Sequence, residues 1–162
     1  MIFAGFAAVV VVAIAELVLA ATWNPFYCTV GLPIFARRVE RAQGLAGVQL
    51  DELERRSATA AAQGFKFRQL GPDKIAFHEQ GFGIVHYTPI MRGLIRHDPA
   101  EPGVVVLGLV NWFVVALVVV LVAGLRRNII DLAPYLGGAF AILYFVQAMR
   151  FWRVGNQLAS RR

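Results

Sequence analysis

One acidic residue, Glu16, stands inside an otherwise apolar run from Ile2 to Ala21. A carboxylate surrounded by hydrocarbon costs roughly 3 kcal/mol unless it is paired, protonated or hydrated, so Glu16 is the foremost candidate for chemistry. Gln147 and Arg150, near the end of the last apolar run, are its expected polar partners. The plainer role for such a trio is a packing or assembly contact, and proton or ion translocation is the sharper one.

His78 and His86 fall on facing strands when the intervening turn is centred on Phe82, and His97 lies nearby in sequence. Two imidazoles without a third and fourth ligand fall short of a zinc site, so no metal is expected. Asp51, Glu52 and Glu54 read as the solvated face of a helix. The chain shows no glycine-rich phosphate loop, no nucleophile elbow and no His-Glu pair at metalloprotease spacing. Gly81-Phe82-Gly83 reads as a turn, because no helix pattern follows it. The single cysteine, Cys28, excludes an internal disulfide and a thiolate metal site. The sequence therefore predicts neither an enzyme nor a cofactor.

The elements that must carry these residues begin with three apolar runs, Ile2–Ala21, Leu109–Leu125 and Leu132–Met149. Each approaches the length of about 20 residues that spans a bilayer. The chain has 162 residues, 58% of them hydrophobic, and a formal charge of +6. A basic aqueous part beside apolar runs fits lipid better than nucleic acid. Of the Lys and Arg residues only Arg126 and Arg127 fall between the second and third runs. That asymmetry predicts a multi-pass protein of a bacterial-type inner membrane, amino terminus outside, central domain and tail cytoplasmic. No basic residue precedes the first run, which reads as an uncleaved helix. The segments are 1–22, a first transmembrane helix; 23–108, a cytoplasmic α+β domain; 109–149, a helical hairpin; and 150–162, a basic tail.

Trp23, Trp112 and Trp152 are expected at membrane interfaces. Ile34 to Gln43 mixes apolar residues with Arg37, Arg38 and Arg41 at helical spacing and predicts a short surface helix on anionic phospholipid. A second helix is expected from Val48 to Ala62. From Phe65 the period becomes two, with turns at Leu70-Gly71-Pro72-Asp73 and Gly81-Phe82-Gly83, predicting a four- or five-stranded antiparallel meander. Val104 to Gly108 is either its last strand or the start of the second span. The register puts Phe67 opposite Phe77, Phe77 opposite Tyr87, Glu79 opposite Val85 and His78 opposite His86. Phe65, Phe67, Ile75, Phe77, Val85 and Tyr87 then share a core face, while Lys66, Arg68, Lys74, His78, His86 and Thr88 share a basic, wet one. Gly137 and Ala141, four residues apart, form a small-residue seam for helix packing.

The expected fold is thus a membrane α+β protein, three transmembrane helices with an inserted small sheet domain. The expected function is a non-catalytic accessory subunit of an inner-membrane complex, docked on other integral membrane proteins. An anionic-lipid-binding module is the second expectation, and an oligomeric ion or proton carrier using Glu16 the third.

Overall fold

The alternating run after Phe65 does form strands, and they organise the molecule. A computed structural model describes residues 2–40, 45, 47–58, 64–79, 90–97, 103–124 and 129–159. In chain order the elements are α1 (Ile2–Ala21), α2 (Pro25–Thr29), β1 (Pro33–Val39), α3 (Leu50–Ser57), β2 (Phe65–Gly71), β3 (Lys74–Glu79), β4 (Met91–His97), β5 (Val104–Val110), α4 (Trp112–Gly124) and α5 (Ile129–Ala159). The strands form one antiparallel sheet in the order β1-β5-β4-β3-β2.

Phe67 pairs with Phe77 as the alternation predicts, and the two rings stack with centroids 5.2 Å apart. The other edge of β3 is taken by β4, with Phe77 opposite Gly93, which displaces the expected pairing of Phe77 with Tyr87. The strand expected at Ile84–Thr88, with its pairings of Val85 and His86, lies outside the described residues. Val104–Val110 is strand throughout, so the second apolar run begins its helix at Trp112.

One sheet face is closed by the chain itself. Phe65, Phe67, Ile75, Phe77, Met91, Ile95, Val104 and Val106 are buried there. Leu53 of α3 and Phe151, Val154 and Leu158 of α5 lie over them. Phe151 meets Phe77 at 4.8 Å, Phe65 at 5.6 Å and Phe35 at 5.9 Å between ring centroids. Two neighbouring glycines make room for these rings. A Cβ on Gly93 would sit inside the Phe77 ring, and one on Gly108 would meet Met91, Phe35 and Phe151.

Several elements differ from expectation. Ile34 to Val39 is not a surface helix but lies within edge strand β1, because β5 offers it a row of unpaired backbone groups and the pairing turns Phe35 and Val39 toward the core. The tail does not begin a separate segment at residue 150. Helix α5 continues to Ala159, since Phe151, Val154 and Leu158 recur at helical spacing and fill the aromatic face. The opposite sheet face is not wholly wet either. Lys66, Arg68 and Arg96 are exposed, but Ala76, Arg92 and Leu94 are buried.

The reading as three transmembrane helices is overturned, and the multi-pass inner-membrane location with it. Among the described residues no helix is long and apolar enough to cross a membrane. Helix α4 has 13 residues; at 1.5 Å per residue it reaches about 20 Å, short of the ~30 Å hydrocarbon core. The last part of α5 is polar on one side and packed on the sheet on the other. Helix α1 turns its Glu16 into the protein rather than outward. Without spans, the asymmetry of Lys and Arg fixes no orientation. Gly137 of the expected small-residue seam makes no close contact among the described residues of the chain. A Cβ added at Gly137 would meet nothing within 4 Å, whereas one at Gly5 of α1 would stand 2.9 Å from Val120 of α4.

Candidate functional site

The polar centre forms where α1 ends. Leu19 and Ala20 accept bonds from the amides of Asn24 and Trp23, a tight helix stop that places Trp23 at φ 53°. That left-handed conformation normally falls to glycine, and here the Trp23 ring lies against His78 of β3 at 4.3 Å. Asn24 Oδ1 then accepts the Tyr27 amide and, with Pro25 in the first turn, starts α2. This turn folds α2 back over the sheet and sets Tyr27 beside Glu16.

Glu16 is 6% exposed and receives donors from three elements. Its Oε1 accepts the Tyr27 hydroxyl at 2.8 Å and the Trp112 amide at 2.7 Å, and its Oε2 accepts the Phe113 amide at 2.8 Å. Those two amides open α4, whose first N–H groups have no partner within the helix, so the carboxylate caps its positive end. Arg92 of β4 approaches Glu16 Oε1 at 3.6 Å and is 4% exposed. Its guanidinium also donates to the carbonyls of Tyr27 (2.8 Å), Val110 (2.7 Å) and Val30 (2.6 Å), and stands 4.1 Å over the Tyr27 ring. Burial first, and then the neighbouring Glu16, push the Tyr27 hydroxyl far above its ordinary pKa, keeping it a donor to Glu16. One ion pair thus ties α1, α2, β4, β5 and α4 together.

Gln147 and Arg150 do come together, but on Glu79 rather than on Glu16. Gln147 is fully buried, and its Oε1 accepts the amides of Ile90 (2.9 Å) and Met91 (3.1 Å). Its Nε2 donates to Glu79 Oε1 at 3.5 Å, and Arg150 Nη1 lies 2.9 Å from Glu79 Oε2. This second junction fastens α5 to β3 and β4.

The residues expected at a lipid surface are spread over several elements. Arg37 stands 3.7 Å over the Trp152 ring and donates to the Trp152 carbonyl and, at 2.6 Å, to Asn156 Oδ1. Arg38 is exposed on the other face of β1, and Arg41 lies outside the described residues. Trp112 is half exposed at the start of α4, and Gly137 and Ala141 are exposed on α5. Cys28 is buried beside Tyr27 and Ala76, where burial pushes its thiol pKa up. His78 Nδ1 lies 3.0 Å from the Glu79 carbonyl, and burial pulls the imidazole pKa down. Among the described residues no group of three potential ligands is placed to hold a metal.

Sequence reasoning missed Arg92 and Glu79. The signal for Arg92 was present: at period two it sits between Ile90 and Leu94, and an arginine on a buried strand face must find an acid. No protein-family model, curated protein or solved structure matches the chain.

Proposed function

We propose that this protein is a non-catalytic assembly subunit whose helical layer docks on a partner protein. The observation that carries this reading is an uncovered aliphatic surface. Val10, Val11, Ile14, Leu17 and Val18 of α1 and Val115, Val118, Val119 and Val122 of α4 are large apolar side chains left exposed on two helices that pack together. Monomers rarely leave a contiguous apolar patch beyond a few hundred Å², and a larger one marks an interaction site. The one acidic residue of this helix pair, Glu16, is turned inward and consumed by the cap on α4, so the surface carries no charge of its own. The occupant it fits is an uncharged helical surface of similar aliphatic character on another protein.

The buried Glu16–Arg92 junction and the part-buried Glu79–Arg150 junction tie the sheet to the helices. The test is native mass spectrometry of a tagged chain extracted from its source in mild detergent. The reading expects other proteins at constant ratio, lost when Val11→Lys and Val119→Lys are combined. A lone chain, a homo-oligomer, or a particle holding only detergent or lipid on this face would overturn it.

A further inference from the structure

A groove of about 210 Å³ runs between the end of α3 and the sheet-packed part of α5. Its apolar lining is Phe65, Val146, Met149 and Val154, of which only Val146 and Met149 are accessible and form the floor, and three arginines line it: Arg56, Arg150 and Arg153. Arg150 lies 4.9 Å over the Phe65 ring, at floor level, and is anchored by Glu79. Arg56 is anchored by Glu52 one helical turn away, while its side chain stays 49% exposed. Arg153 is exposed at the rim. From this arrangement we propose that the groove binds an anionic amphiphile, a phosphate or carboxylate head on a hydrocarbon chain.

Guanidinium groups remain charged at all accessible pH and match the paired oxygens of phosphate and carboxylate. Glu79 holds Arg150 in one orientation in a largely shielded pair, which lowers the entropy lost on binding, while the exposed Arg56 keeps more of its freedom. Among the described residues that line the groove and the acids paired with them, three guanidinium groups meet two carboxylates, which favours an anionic head. The volume is below the 300–1,000 Å³, roughly, of pockets that enclose a whole drug-sized ligand. It therefore takes the head and first carbons, with the remaining chain lying along the exposed Met149 side of α5. A free phosphate would use the arginines alone and leave the floor unoccupied.

The site is tested by titrating the full chain, in a neutral detergent, with dihexanoylphosphatidic acid, dihexanoylglycerol and inorganic phosphate, using calorimetry. The expected result is saturable binding of the phosphatidic acid only, weakened about tenfold or more in the Arg56→Gln/Arg153→Gln variant. Thermal unfolding of that variant should match the parent, since both side chains are exposed; Arg153→Gln alone should show a smaller loss of binding. Equal binding of the diacylglycerol would show that the arginines contribute nothing. Equal binding of inorganic phosphate would show that the floor contributes nothing. Either result, or an unchanged affinity in the double variant, overturns the proposal.

Discussion

The aromatic face of the sheet and the aliphatic face of α1 and α4 are both strongly apolar, yet only the first is covered by its own chain. Leu53, Phe151, Val154 and Leu158 close the sheet, so that Phe77 and Ile95 are essentially inaccessible. On the helices Val11, Val119 and Val122 are each more than half exposed. The difference is not in composition but in what lies opposite. The sheet face meets helices whose apolar residues recur on one side, whereas α1 and α4 carry large aliphatic residues on their outer side as well, so packing the two together leaves apolar surface outside. A face that its own fold completes stabilises the chain; a face left open is where the proposed partner would dock.

Substitutions at the closed face should have the largest effects on stability. Phe151→Ala empties a site at the meeting of three rings and should cost about 3–5 kcal/mol in denaturant unfolding. Gly93→Val should be worse tolerated than strand propensity alone suggests, because Phe77 occupies the space. A fold that survived both unchanged would show that the aromatic face is not the core.

The junction between the two faces comes next. Glu16→Ala leaves Arg92 buried without its acid and opens the cap of α4, a loss of about 3–5 kcal/mol. Combining it with Arg92→Met should restore part of that loss, since no buried charge then remains. If the losses of the two single variants simply added in the double variant, the pair would carry no coupling and the helices would be held by packing alone. Tyr27→Phe should cost about 1.5–3 kcal/mol, the range for a hydrogen bond to a charged group.

A smaller, pH-dependent effect belongs to His78. Its folded pKa lies below the ordinary value because of burial, so the unfolded chain binds the proton more readily. Stability should therefore fall as pH drops below about 6.5 and level off beneath the folded pKa. The acid-side slope should be shallower in His78→Gln, and an identical slope would assign it to other groups. On the open face, Val11→Lys and Val119→Lys should change monomer stability by less than about 0.5 kcal/mol while removing the partner. A large loss of stability there would mean that the face is internal to the fold.

The sequence made the sheet partly legible. Alternation fixed the core side of Phe65, Phe67, Ile75 and Phe77 and the pairing of Phe67 with Phe77, because strand periodicity leaves one solution when a face is apolar. It did not reveal β1, whose mixed run Ile34–Val39 satisfies helical spacing as well as strand spacing until β5 supplies an edge. The continuation of α5 past Arg150 was hidden because its arginines suggested a tail, while Phe151, Val154 and Leu158 carried the packing signal. Glu16 stood out by cost alone, but its partner did not. Gln147 and Arg150 lie at the matching end of an apolar run, whereas Arg92 carries only the period-two signal of a strand residue between Ile90 and Leu94, which calls for an acid without saying which one.

The most direct test of the docking account is site-specific photo-crosslinking in the native particle, with a photoreactive residue placed in turn at Val11, Val119 and, as a control on the sheet core, Ile95. The account predicts that Val11 and Val119 both crosslink to one and the same partner protein while Ile95 crosslinks only within the chain. Crosslinks from Val11 and Val119 confined to this chain, to a second copy of it, or to lipid and detergent would contradict it.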